Sequence, residues 1–128
     1  MVYASSGIIL KNKKILLVFR SNYTKTFPHY WACAGGRGEE EKETPEEVVI
    51  REIKEELNIN FKPTKLFATG QYNDRKLFRF LGEWEGDIKI QEAEIDKYDW
   101  FSYKEAIKLK LAFDYKEVIE KLHREKLI

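Results

Sequence analysis

The chain has 128 residues, 23 basic and 22 acidic, and a formal net charge of +1. That length suits one domain, residues 1–128, able to bury a core unaided, with three Trp, seven Tyr and eight Phe to anchor it. The balanced charge excludes a global pull towards nucleic acid or membrane, and the one cysteine, Cys33, excludes an intrachain disulfide. The opening MVYASSGIIL carries no basic, long apolar leader, and every apolar run falls short of the ~20 residues of a spanning helix. A soluble, cytoplasmic protein without a membrane partner is expected.

In chain order, Tyr3 to Leu10 and Lys14 to Arg20 read as a hairpin turning at Lys11-Asn12-Lys13. Ser21 to Tyr30 reads as a loop, and Trp31 to Ala34 as a short strand ending at Gly35-Gly36. GRGEEEKE is too polar and glycine-rich for core. A helix then starts sharply. Thr44 caps it, Pro45 takes the first turn and Glu47 completes a capping box; it runs to Leu57, and Asn58 closes it. Phe61 to Tyr72, Arg75 to Trp84, Asp87 to Ile90 and Tyr98 to Phe101 read as strands, with turns at Asn73-Asp74 and Glu85-Gly86. Ser102 to Leu109 and Tyr115 to Leu127 read as helices. Strands around one central helix, with more helix at the end, predict an α/β (α+β) fold with a mixed sheet covered on two sides.

The chemistry concentrates in REIKEEL, residues 51–57. At 3.6 residues per turn, Glu52, Glu55 and Glu56 share one face, and Val49, Ile50, Ile53 and Leu57 another that can pack on the sheet. Taken alone, three glutamates on a helix are a solvated face. Here they repel one another with only Arg51 and Lys54 beside them, and a glycine-rich segment precedes the helix. Clustered hard oxygen donors suit Mg²⁺ or Mn²⁺.

The stretch GGRGEEEKETPEEVVIREIKEELNI, residues 35–59, resembles the Nudix box, G-x5-E-x7-R-E-U-x-E-E-x-G-U, where U is a bulky aliphatic residue. Glu43, Arg51, Glu52, Ile53, Glu55, Glu56 and Ile59 fall on the pattern. The spacing from Gly36 to Glu43 is one residue too long, the spacing from Gly38 one too short, and Asn58 replaces the box glycine. The opening hairpin, the Trp31 to Gly35-Gly36 approach and WFSYKEA are also similar to small Nudix proteins.

The resemblance implies an α/β/α sandwich with a mixed sheet, and hydrolysis of a diphosphate linked to another group. It implies Mg²⁺ or Mn²⁺ held by Glu55 and Glu56, with Glu52 as a further ligand or general base and a backbone carbonyl of Gly36 or a neighbour joining. Arg51 would orient a glutamate, Glu43 would support the loop, and Glu94, with Glu92 as alternate, would add a late carboxylate. Arg20 and Arg37 are candidates for phosphate contacts, and Phe27, Tyr30 and Trp31 for base stacking, with core packing the ordinary reading of Trp31. VIEKLHREKLI resembles the closing helix of MutT-type enzymes. Asp114-Tyr115 stands where that subgroup carries an asparagine, so preference for an oxidised guanine is not implied. The implied substrate is a nucleoside triphosphate, a nucleotide sugar or another nucleoside diphosphate derivative; a capped or triphosphorylated RNA end also stays open, though the near-neutral charge offers no long basic track for RNA. The rival reading is a nucleotide-binding module of the same fold without turnover. Dimers are common among similar proteins, so a homodimer stays open.

Overall fold

The computed structural model describes residues 2–39 and 42–128. In chain order the elements are β1 (Val2–Ile8), β2 (Leu10–Lys11), β3 (Lys14–Arg20), β4 (Trp31–Ala32), β5 (Gly35–Glu39), α1 (Pro45–Leu57), β6 (Asn60–Tyr72), β7 (Arg75–Glu85), β8 (Ile95–Phe101), α2 (Tyr103–Ala106) and α3 (Tyr115–Arg124). They divide into two compact units, one of Met1–Ile9 with Ala34–Lys89, the other of Leu10–Cys33 with Ile90–Ile128.

The first unit holds a sheet of order β5-β1-β7-β6. β1 runs parallel to β7 and antiparallel to β5, and β6 pairs antiparallel with β7, so the sheet is mixed as expected. The long β6–β7 hairpin turns at Asn73, whose φ of 54° is the left-handed value asparagine tolerates. α1 packs on this sheet through Val48, Val49, Ile53 and Leu57, all fully buried. Each such aliphatic side chain stabilises the fold by roughly 1.5–3 kcal/mol. Tyr3, Ile8, Ile59, Phe61, Phe67, Leu77 and Phe80 complete that core.

The second unit holds an antiparallel sheet in which β3 pairs with β2, β4 and β8. Ile15, Leu16, Leu17 and Val18 of β3 are buried, as are Ala106 of α2 and Tyr115, Val118, Ile119 and Leu122 of α3. The spacing of Tyr115, Val118, Ile119 and Leu122 is one helical stripe, the reason α3 forms with one apolar side. α2 starts on a capping box formed by Ser102 and Glu105, as α1 does on Thr44 and Glu47.

Several elements differ from the sequence reading. The hairpin is real but short, pairing only Leu10 with Ile15 and Lys11 with Lys14, because β1 ends at Ile8 and belongs to the other sheet. Its turn is Asn12-Lys13, both at positive φ. Gly35–Glu39, read as polar turn, is a strand; Glu40 and Glu41 of that turn lie outside the described residues. Residues 87–90 form no strand, and the Lys89 amide instead donates to the carbonyl of Leu57, the last residue of α1. β8 begins three residues earlier than expected, at Ile95. α2 stops at Ala106 and α3 at Arg124, both sooner than the apolar pattern suggests. Ile50, placed on the packing face by the sequence reading, is 44% exposed, because the buried arc of α1 lies between Val48 and Leu57.

Candidate active site on the capped helix

α1 carries two parallel seams, each one residue per turn. Val49, Ile53 and Leu57 form the apolar one. Val48, Glu52 and Glu56 form the other, and it lies along β5. A side chain on Gly38 would place its Cβ 2.2 Å from Val48 Cγ2, and one on Gly36 would place it 2.3 Å from the Glu52 carboxyl carbon. Helix and strand are therefore too close for a side chain at position 38, and one at position 36 would displace the Glu52 carboxylate. β5 pairs with β1 without interruption from Gly35 to Glu39, so no extra residue is looped out within that strand. In a strand alternate residues share a face. Gly36 and Gly38 both meet the helix, while position 37 between them accommodates an arginine.

The Glu56 side chain is buried, with the residue 6% exposed, and its Oε2 accepts a hydrogen bond of 3.0 Å from the Gly35 amide. Glu52, 14% exposed at its side chain, lies against Gly36. Carboxylate oxygens of Glu52 and Glu56 come within 4.8 Å of each other. Two carboxylates this close, one of them buried, repel strongly unless positive charge lies nearby.

Arg51 supplies part of that charge. Its Nε and Nη2 donate to the two oxygens of Glu43 at 2.7 and 2.9 Å, and its Nη1 donates to Glu52 at 3.1 Å. The Glu55 carboxylate is 3.4 Å from Nη1, and the Arg37 carbonyl accepts from Nη2 at 3.4 Å. The hydrogen bond from Arg51, with its charge adding, holds the Glu43 carboxyl below the usual carboxylate range. The same contacts, that with Glu43 foremost, push the Arg51 guanidinium above its usual range. Glu43 is thus a fastener for Arg51, and its backbone carbonyl accepts from the Tyr3 hydroxyl on β1.

The three glutamates do not share one environment. Glu52 and Glu56, four residues apart, sit together in the seam. Glu55 is turned from Glu56 by about 100° and leaves its side chain 58% exposed. Glu94 is an exposed turn residue of the second unit whose carbonyl accepts from the Ser21 amide at 3.0 Å, and Glu92 is exposed in the same turn. Arg37 is exposed and lines an open cleft with Val2, Gly38, Lys42 and Glu43. Arg20, the last residue of β3, turns its Nε and Nη2 onto the Thr26 carbonyl at 3.1 and 2.8 Å. Sequence reasoning missed Arg79, buried in β7 and donating to Ser6 Oγ at 3.0 Å; within the alternating strand RKLFRFL it reads as an ordinary surface cation. It also missed the Gly35 amide as the partner of Glu56, for which the Gly35-Gly36 pair was the available signal.

The donor set of Glu52 and Glu56 fits a hard divalent cation: paired carboxylates, one buried, on a rigid helix against the glycine face of β5. The mixed sheet, the three helices among the described residues and this site define an α+β protein of the kind that carries acidic chemistry on a helix. The NUDIX domain pattern matches residues 2–122, and the chain belongs to that family. It is 30% identical over 109 residues to diphosphoinositol polyphosphate phosphohydrolase 3-alpha of Mus musculus, a match covering 77% of this chain and 61% of that protein. It is 38% identical over 64 residues to the NAD-capped RNA hydrolase NudC of Haemophilus influenzae, covering 48% of this chain and 24% of that one. The chain therefore spans less than two thirds of the length of each of these curated relatives. Among solved structures, the ORF135 protein of E. coli superposes with a TM-score of 0.79 at 23% identity, covering 98% of this chain and 91% of that one. The MutT NUDIX hydrolase of Burkholderia pseudomallei gives 0.82 at 20% identity, covering 94% and 96%. Both share the fold.

Proposed function

We propose that residues 1–128 act as one domain that hydrolyses a diphosphate linkage in a nucleoside diphosphate derivative, a nucleoside triphosphate or nucleotide sugar among them, with Mg²⁺ or Mn²⁺. The observation that carries this reading is the Glu52–Glu56 pair, held one helical turn apart beside Gly35 and Gly36. Family membership supports the same class. Glu52 and Glu56 would hold the ion, with Glu55 as the outer ligand and the Gly36 carbonyl beside them. When bound, the ion neutralises charge on phosphate oxygens and acidifies water.

The chain's own groups then divide the remaining work. Glu56, fixed by the Gly35 amide, cannot swing out with substrate. Arg51 aims the Glu52 carboxylate, and Glu43 keeps Arg51 in place. A carboxylate must take a proton from the attacking water; Glu52 and Glu94 are the two candidates, and each accepts protons at a carboxylate oxygen. Arg37, in its cleft with Lys42, contacts phosphate. The reading carries with it a small-molecule substrate and a cytoplasmic location. Among the described residues no helix is long and apolar enough to cross a membrane.

The test is turnover. Purified protein with Mg²⁺, then Mn²⁺, is offered nucleoside triphosphates, nucleotide sugars and dinucleoside polyphosphates, and monophosphate release is followed. Release that depends on the ion and is abolished in Glu56→Gln and Glu55→Gln supports the reading. Nucleotide binding with no turnover across the panel and both ions means a binding module instead. If Glu94→Gln leaves kcat unchanged, Glu94 is not the base.

A further inference from the structure

In the antiparallel ladder between β1 and β5, Tyr3 lies opposite Gly38 and Ser5 opposite Gly36. Residues directly opposite share a face of the sheet, and so do alternate residues along a strand. Both glycines face α1, one at Val48 and the other at the Glu52 carboxyl. Gly7 faces it too, since a Cβ there would lie 2.4 Å from Ile53 Cδ1. Tyr3, Ser5 and Gly7 therefore point the same way, and Ser5 stands between the other two on the side where Glu52 lies. The Tyr3 hydroxyl donates to the Glu43 carbonyl. Ser5 is fully buried, and its Oγ is the one buried side-chain polar atom among the described residues that has no hydrogen-bond partner.

A buried hydroxyl without a partner destabilises a fold, and an alanine in its place would not. A serine at this position therefore points beyond packing. Side chains directly opposite in such a ladder set their Cβ atoms about 4.5–5.5 Å apart. The Glu52 carboxyl occupies the place where Gly36 would carry a Cβ. The Ser5 side chain and that carboxyl are thus neighbours across the ladder, and rotation of a serine between staggered χ1 positions re-aims its proton. Carboxylates that ligate a metal are themselves steadied by hydrogen bonds from surrounding groups. Arg51 Nη1 supplies one to Glu52 Oε1 at 3.1 Å from the helix. Ser5 is placed to supply one from the sheet.

We propose that Ser5 is a positioning residue of the cation site, its hydroxyl donating to the Glu52 carboxylate when Glu52 and Glu56 hold a divalent cation. This rests on the reading of that pair as the cation site. Glu52 is then held from two directions, by Arg51 along α1 and by Ser5 from β1. The hydroxyl that destabilises the cation-free fold strengthens cation binding, so its removal acts with opposite sign on the two.

Thermal melting in excess chelator and calorimetric titration of Mn²⁺, on wild type, Ser5→Ala and Ser6→Ala, test this without turnover. Ser5→Ala is expected to melt at or above the wild-type temperature in chelator and to bind Mn²⁺ about 10- to 100-fold more weakly. Ser6 is the control: it is buried on the opposite face of β1, and its Oγ accepts from Arg79 Nη1 at 3.0 Å. Ser6→Ala is expected to melt lower and to keep the Mn²⁺ affinity. Equal Mn²⁺ affinity in wild type and Ser5→Ala overturns the role of Ser5 and leaves the cation site standing. A Ser5→Ala chain that melts lower in chelator, or does not fold, also overturns it, because the hydroxyl then serves the fold. The same loss of affinity in both alanine variants does so too, since it marks a disturbed strand. A wild-type chain that takes up no Mn²⁺ sinks the cation site itself, and the role of Ser5 with it.

Discussion

Arg51 has a bidentate partner, Glu43, and a monodentate one, Glu52, on opposite sides of one guanidinium. A lysine keeps the charge but has no fork. Arg51→Lys is therefore expected to lower kcat by about 10- to 100-fold, the range for a group that orients a metal ligand. Steady-state assays at saturating ion check it, and Glu43→Gln should reproduce part of the loss without adding fully to it. The pair also sets a pH dependence. Glu43 has a folded pKa below its unfolded value, so its ionised form stabilises the fold above the ordinary carboxylate pKa of about 4.3. That contribution fades as pH falls through the lower folded value. Melting temperatures of wild type and Glu43→Gln should differ steadily between about pH 5 and 7 and converge below about pH 4. A gap that widens on acidification contradicts the assignment.

At the scale of elements, the contact between α1 and β5 sets the site. Gly38→Ala pushes a methyl into Val48 and is expected to cost about 1–3 kcal/mol of stability, read by denaturant unfolding. Gly36→Ala pushes into the Glu52 carboxyl instead, so it should cut turnover more than stability. α1 closes on Asn58 at φ 60° and ψ 27°, with its amide donating to the Lys54 carbonyl at 3.0 Å. Asn58→Val should lose about 1–2 kcal/mol, since a β-branched residue resists the left-handed region. This helix was readable residue by residue in the sequence, because Thr44, Pro45, Glu47 and Asn58 each specify a local conformation. β5 was not. Its sequence is glycine and charge, and it is a strand because β1 pairs with it and α1 lies on it, both non-local causes. The division of Glu55 from Glu52 and Glu56 escaped for a related reason. Helical spacing puts all three on a broad face, and only the line of β5 decides which part of that face is covered.

For the whole molecule, each sheet depends on pairings far apart in sequence. β1 and β7 run parallel with Tyr3 opposite Lys76, and β3 pairs with β8 with Ile15 opposite Phe101. Local patterning finds such strands but not their partners, which is why the opening hairpin was read as longer than it is and the two sheets as one. The class of site was legible because the box residues are close in sequence. The hold of Arg20 on the Thr26 carbonyl was not, because it comes from a loop folding back on a strand end. The central claim is that Glu52 and Glu56 together hold a divalent cation on which turnover depends. Calorimetric titration of Mn²⁺ into the wild-type chain, Glu52→Gln and Glu56→Gln, each checked for a folded melting profile, tests it directly. Saturable uptake by the wild type, weakened at least about 10-fold in both folded variants in parallel with lost turnover, is predicted. Equal Mn²⁺ affinity in all three, or hydrolysis that persists in excess chelator, contradicts it.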